Sequence, residues 1–176
     1  MVEQLHSEDH VRQYLARIFP SQNFAAIIPF ESGWVCRPKL TAREIAEGQG
    51  LGLGNYVVNR GTGVVTAHAS LPPFTIGEMY DEAIRTGRPV QGGQIYPHLV
   101  RISIQRVQED SATIHYRVRT ESLAQPPAPP TDFQLTVDKN TLSFQPGGAM
   151  AANAASWAQW RFRQDGSWPE SGTWED

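Results

Sequence analysis

Val100-Arg101-Ile102-Ser103-Ile104-Gln105, the polar link Gln108-Glu109-Asp110-Ser111, and then Ala112-Thr113-Ile114-His115-Tyr116-Arg117-Val118 form the stretch that decides the fold. Apolar and polar side chains alternate in both halves, and in an extended chain that alternation sends every apolar group to one face. A strand buried on one side only belongs to an antiparallel sheet, whereas parallel strands read as continuous apolar runs. The short polar link makes the two halves a hairpin. Working outward, Phe133–Val137 and Leu142–Phe144 read as a second hairpin around Asp138-Lys139-Asn140. Phe24–Phe30 and Gly33–Arg37 pair across Glu31-Ser32-Gly33. A further hairpin joins Tyr56-Val57-Val58 to Val64-Val65, with Gly61 and Gly63 bracketing the reversal and Asn59, Arg60 and Thr62 held out at its tip.

Helices are predicted between these hairpins. Ser7 caps a helix with Glu8 and Asp9 at its positive end, Val11, Tyr14, Leu15 and Ile18 on one face, and Pro20 as a stop. Thr41 with Glu44 is a capping-box pattern for a brief helix ending near Gly48, and Thr75 with Glu78 repeats it. Ile76, Met79, Tyr80 and Ala83-Ile84 then form an apolar face, with Gly87 and Pro89 ending the helix. Ala149–Trp160 is alanine-rich and helical, while Arg161-Phe162-Arg163 reads as extended before an Asp165-Gly166 turn. Gln125–Pro130 is a stiff surface loop. Helices mixed with hairpins, without strand–helix–strand alternation, define an α+β class: a curved, mainly antiparallel sheet packed against two to four helices.

Composition narrows function. A chain of 176 residues, 40% of them hydrophobic, suits one domain spanning residues 1–176. No apolar run approaches the roughly 20 residues that cross a bilayer. Met1-Val2-Glu3-Gln4-Leu5-His6 has neither the basic flank nor the apolar core of an export signal, and Cys36 stands alone, so a reducing cytoplasm is expected. Fifteen basic residues against 18 acidic ones, scattered along the chain, argue against nucleic acid as a partner.

The usual chemical constellations are missing from the sequence. There is no nucleophile elbow, His-Glu-x-x-His pattern, phosphate loop or cysteine pair, so neither a catalytic residue, a cofactor nor a metal is expected. Gly50, Gly52 and Gly54 precede a strand, whereas a dinucleotide fingerprint follows one, so they read as a flexible lead-in. His6 and His10 are four apart but lack a third metal ligand. Cys36 with His68, His98 or His115 offers a nucleophile–base pair, against which a small thiol in an apolar strand reads as core. Glu78, Asp81 and Glu82 read as a solvated helix face.

Five tryptophans are many for this length, and four lie from Trp157 onward. They either clamp the C-terminal segment onto the sheet or anchor a partner. Read together, Gly33-Trp34-Val35-Cys36-Arg37, the Gly54–Val65 hairpin and Ser70-Leu71-Pro72-Pro73 resemble small immunity proteins of bacterial polymorphic toxin systems. In length and texture the chain is similar to the immunity factor of the tuberculosis necrotizing toxin, an NAD+ glycohydrolase. The resemblance implies a non-enzymatic, cytosolic protein that binds a toxin domain one-to-one and occludes its NAD+ site. It assigns no contact residues. The residues themselves nominate Asn59, Arg60 and Thr62 at the hairpin tip, the Gly92-Gly93-Gln94 turn, the 125–130 loop and Trp174. For Arg60 the competing role is a structural pair with a nearby carboxylate. Two other classes stay open: a small-ligand module with an aromatic-lined pocket, and an enzyme of unrecognised family using Cys36 or a buried carboxylate.

Overall fold

The periodic segments become elements close to where the sequence puts them. The structure, a computed structural model, describes residues 5–48 and 53–176, so Gly50, Gly52 and the Met1–Gln4 end of the chain lie outside the described residues. In chain order the elements are α1 (Glu8–Ile18), β1 (Asn23–Pro29), β2 (Gly33–Lys39), α2 (Ala42–Ala46), β3 (Asn55–Asn59), β4 (Val65–His68), α3 (Pro73–Thr86), β5 (Gly93–Tyr96), β6 (Val100–Glu109), β7 (Thr113–Ser122), β8 (Thr131–Asp138), β9 (Phe144–Gln145), α4 (Ala149–Asp165) and β10 (Ser171–Glu175). The class is α+β, and every strand pair is antiparallel. Packing divides the chain into two compact units between Pro97 and His98, each with its own five-stranded sheet.

In the first unit the sheet order is β1-β2-β3-β4-β5. β2 and β3 are apolar on both faces, so both faces need cover. Trp34, Cys36 and Val58 pack with Leu5 and the α1 residues Val11, Tyr14 and Leu15. Val35 and Val57, one residue out of phase, pack with Ile76 and Tyr80 of α3. Period two in the strands thus decides which helix each residue meets. Ser7 caps α1 by accepting from the His10 N–H, and Thr41 with Glu44 closes the capping box on α2. α3 departs from the expected start. It begins at Pro73, Pro72 precedes it, and Thr75 lies inside the helix rather than at its cap, because proline at the first helical position has its φ already set for the helix and lacks one of the N–H groups the first turn leaves unpaired. Gly87 ends α3 in the left-handed conformation, as the sequence predicts.

In the second unit the order is β10-β6-β7-β8-β9, and α4 covers one face. The predicted central hairpin pairs Ile102 with Thr120 and Ile104 with Val118, and its ladder runs on to Ser122. Sheet residues Ile114, Tyr116, Leu135 and Val137 provide bulk, while α4 turns Ala151, Ala154, Ala155 and Ala158 inward. Small side chains let the helix axis approach the sheet closely. Two segments differ from expectation. Arg161-Phe162-Arg163 continues α4, supported by the Arg161–Asp165 pair one turn apart and a left-handed Gly166 at the stop. Ser171–Glu175 adds a strand beside β6, which the sequence does not announce.

The tryptophans explain that strand. Trp174 lies flat on Trp157 of α4, with ring centres 4.5 Å apart and planes 3° from parallel, and its indole N–H donates to Asn153 Oδ1. Trp168 is buried and stacks on Phe162 at 4.8 Å. Such ring pairs contribute about 0.5–1.5 kcal/mol beyond their buried area. The C-terminal segment therefore clamps itself to its own sheet. Trp160 is the ring left outside, at 52% exposure.

Candidate functional site

The β3–β4 reversal is built by Asn59. Its Oδ1 accepts from the backbone N–H groups of Gly61 and Thr62, an Asx-type turn, and its Nδ2 donates to the Tyr80 hydroxyl at 3.2 Å. The turn is thereby tied to α3. Arg60 folds back instead of projecting. Nη2 donates to the Phe30 carbonyl at 3.2 Å, and the guanidinium lies 5.4 Å from the Trp34 ring centre. Its backbone is held too, with its N–H donating to the Ser32 carbonyl and its carbonyl accepting from Leu5. The expected alternative, a carboxylate partner, gives way to a carbonyl and an indole face. Arg60 Nε is buried with no partner. Of the three tip residues, Thr62 alone is exposed, and Asn59 and Arg60 are partly buried.

Gly93 and Gln94 belong to β5, paired with Ala67 and Thr66, so the expected turn is the start of an edge strand. Gly92 stays just outside it at φ 121°, and a Cβ there would come within 2.9 Å of the His68 ring. Only glycine brings the chain that close at that angle. Gln94 Nε2 donates to the Pro97 carbonyl. The other two candidates belong to the second unit: the 125–130 loop joins β7 to β8, and Trp174 is held by the stack described above.

Asn59 and Gly92 thus converge on one part of the first unit, where Tyr80 and His68 have ring centres 6.2 Å apart. His68 Nε2 lies 2.7 Å from the buried Thr66 hydroxyl. Burial lowers the His68 pKa below the ordinary histidine value, which favours the neutral ring at neutral pH. Beside it is a hollow of about 200 Å³ lined by His68, Leu71, Ile76, Met79, Tyr80 and Gly92. Drug-sized ligands generally occupy about 300–1,000 Å³, so this hollow better fits a side chain than a free cofactor.

Sequence reasoning missed the outer face of α3. Phe74 is 77% exposed, and Met79 and Ile84, expected on the buried face, are 37% and 51% exposed. The signal was available: at 100° per residue, Phe74 lies on the opposite side of the helix from Ile76, Tyr80 and Ala83. Of the expected acid cluster, Asp81 accepts from the Ser32 N–H and Glu82 pairs with Arg85.

Cys36 sits in the core of the first unit. The thiol is fully buried, and burial pushes its pKa up to about 12, so no thiolate forms at neutral pH. No cluster of three potential metal ligands occurs among the described residues, and no helix there is long and apolar enough to cross a membrane.

The family model of the Immunity protein 35-like domain matches residues 9–88, from α1 through α3. That match supports an immunity protein of a toxin system, and hence a cognate toxin as partner. No curated protein and no solved structure matches the chain.

Proposed function

We propose that residues 1–176 act as one non-enzymatic antitoxin module in the cytoplasm. The chain binds a cognate secreted toxin domain one-to-one and inhibits it by covering its substrate site. The observation that carries this reading is the immunity-domain match across residues 9–88. The buried, protonated Cys36 agrees with it, because the nucleophile of the enzyme alternative is out of play. The target proposed is an NAD+ glycohydrolase, on the resemblance drawn from the hairpin and length, and the mechanism is occlusion of the NAD+ site. A rigid hairpin suits that task, since preorganised contacts lose little entropy on docking. Asn59, Arg60, Thr62, Gly92, Gly93 and Gln94 remain the proposed contact region from the sequence, with Trp174 as an outlying candidate.

The test is titration of NAD+ consumption by the toxin domain encoded beside this gene. Loss of activity at one equivalent of inhibitor is expected. Stoichiometric rescue from a toxin that does not consume NAD+ would overturn the target while leaving the antitoxin role standing.

A further inference from the structure

The geometry points to the solvent face of α3 as the surface that the toxin covers, with Phe74 as the anchor side chain and Glu78 as the carboxylate that meets a lysine or arginine of the partner. The inference rests on the antitoxin reading and adds to it the surface and the partner's local chemistry.

Phe74, Glu78 and Glu82 follow one another at four-residue spacing and share a stripe, with Met79 on its flank and Leu71 just before the helix. Phe74 is the most exposed large apolar side chain among the described residues, at 77%, while Leu71 and Met79, at 41% and 37%, border the hollow beside Ile76 and Tyr80. A projecting aromatic ring is the kind of side chain that anchors an interface when a partner pocket receives it.

The carboxylates differ in state. Asp81 is tied to Ser32 and Glu82 to Arg85. Glu78 has no hydrogen bond or ion pair among the described residues, and it borders hollows on both flanks of α3. One, of about 230 Å³, lies beside Phe30, Val35 and Phe74. The other, of about 350 Å³, lies beside Met79, Ala83 and Pro89. Hollows on either side of Glu78, one of them beside the projecting Phe74 ring, let a partner both receive Phe74 and insert side chains of its own.

Charge selects the occupant. α3 carries three acids against one base, and Arg88 at the hollow beside Met79 adds a second base, so the face is mildly acidic. A nucleic acid or an anionic lipid surface would be repelled. A second copy of the chain would set one acidic helix face against another. What fits is a protein surface with an apolar pocket rimmed by lysine or arginine.

The experiment uses the full chain and the toxin domain encoded beside its gene. Binding is measured by calorimetry for wild type, Phe74→Ala, Glu78→Lys and, as a control on the open sheet face of the second unit, Gln105→Ala. Phe74 and Glu78 are exposed, so melting temperatures should stay within about 2 °C of wild type, as for surface substitutions generally. Phe74→Ala and Glu78→Lys should each raise the dissociation constant at least about tenfold, and Gln105→Ala should leave it unchanged. The association rate should fall with added salt for wild type and less steeply for Glu78→Lys. Wild-type binding that both α3 variants retain would overturn the α3 assignment and leave the antitoxin reading intact. Absence of wild-type binding would overturn both.

Discussion

Replacing Arg60 by alanine separates a residue that holds the hairpin from one that touches the toxin. The substitution removes the 3.2 Å bond to the Phe30 carbonyl and the guanidinium placed 5.4 Å from the Trp34 ring centre. A hydrogen bond from a charged donor is worth about 1.5–3 kcal/mol. The ring contact adds about 0.5–1 kcal/mol. An opposing effect is as large: Nε is buried without a partner, and removing such a group recovers about 1–3 kcal/mol. The two hydrogen-bonding effects largely offset each other, which leaves the ring contact and the packing of the stem. The expected loss is about 1 kcal/mol, a fall of roughly 2–4 °C in melting temperature for a chain of this size. Arg60→Met, which keeps the stem and drops both polar effects, should lose less. Thermal unfolding of the three proteins, paired with toxin affinity, reads both roles. Unchanged melting of Arg60→Ala would show that the fold-back does not support the hairpin. A loss above about 3 kcal/mol would show that the unpaired Nε costs the wild type nothing.

Other expectations concern the two units separately. Gly172 lies under Trp157, and a Cβ there would come within 2.7 Å of ring atoms already fixed by the Trp174 stack. Gly172→Ala should therefore cost about 2–4 kcal/mol in urea unfolding and alter the near-ultraviolet circular dichroism, with partial recovery in Gly172→Ala/Trp157→Leu; wild-type stability would contradict this. Cys36 should resist alkylation at pH 8 until urea is added, and Cys36→Ser should keep toxin protection while losing about 1–3 kcal/mol by burying a hydroxyl. Rapid labelling of the folded chain would disprove the burial argument. His68 has its pKa lowered by burial, so the unfolded chain takes up that proton first. Its contribution to stability is complete above the unfolded value of about 6.5 and is lost as pH falls below it. His68→Gln should make unfolding free energy less steep between pH 6.5 and 5, and an unaltered slope would count against the lowered pKa.

The parts of the fold legible in the sequence are those decided within a few residues. Val100–Gln105 and Thr113–Val118 alternate so strictly that a one-residue slip of either strand would turn Arg101 or Arg117 toward the core. Ser7 and Thr41 cap their helices through groups three residues away. What stayed hidden depends on partners far along the chain. Ser171–Glu175 has little apolar character beyond Trp174, and it becomes a strand because Gly172 pairs with Ile104 and Trp174 finds Trp157. Gly93-Gln94 resembles a turn because Gly92 and Gly93 are adjacent, yet β4 leaves an edge that the segment fills. The fold-back of Arg60 needs a carbonyl 30 positions away. The proposed contact face of α3 is half legible, since the helix and its acids are read from the sequence, whereas Phe74 reads as part of the bend before it and Met79 and Ile84 as part of the buried stripe.

The central claim, that this chain is a toxin-binding antitoxin, is met most directly by calorimetric titration of the full chain into the toxin domain encoded beside its gene. The account predicts a saturable one-to-one complex and an equal number of equivalents for inhibition. A titration with no heat of binding, together with toxin activity unaffected by excess protein, would contradict it.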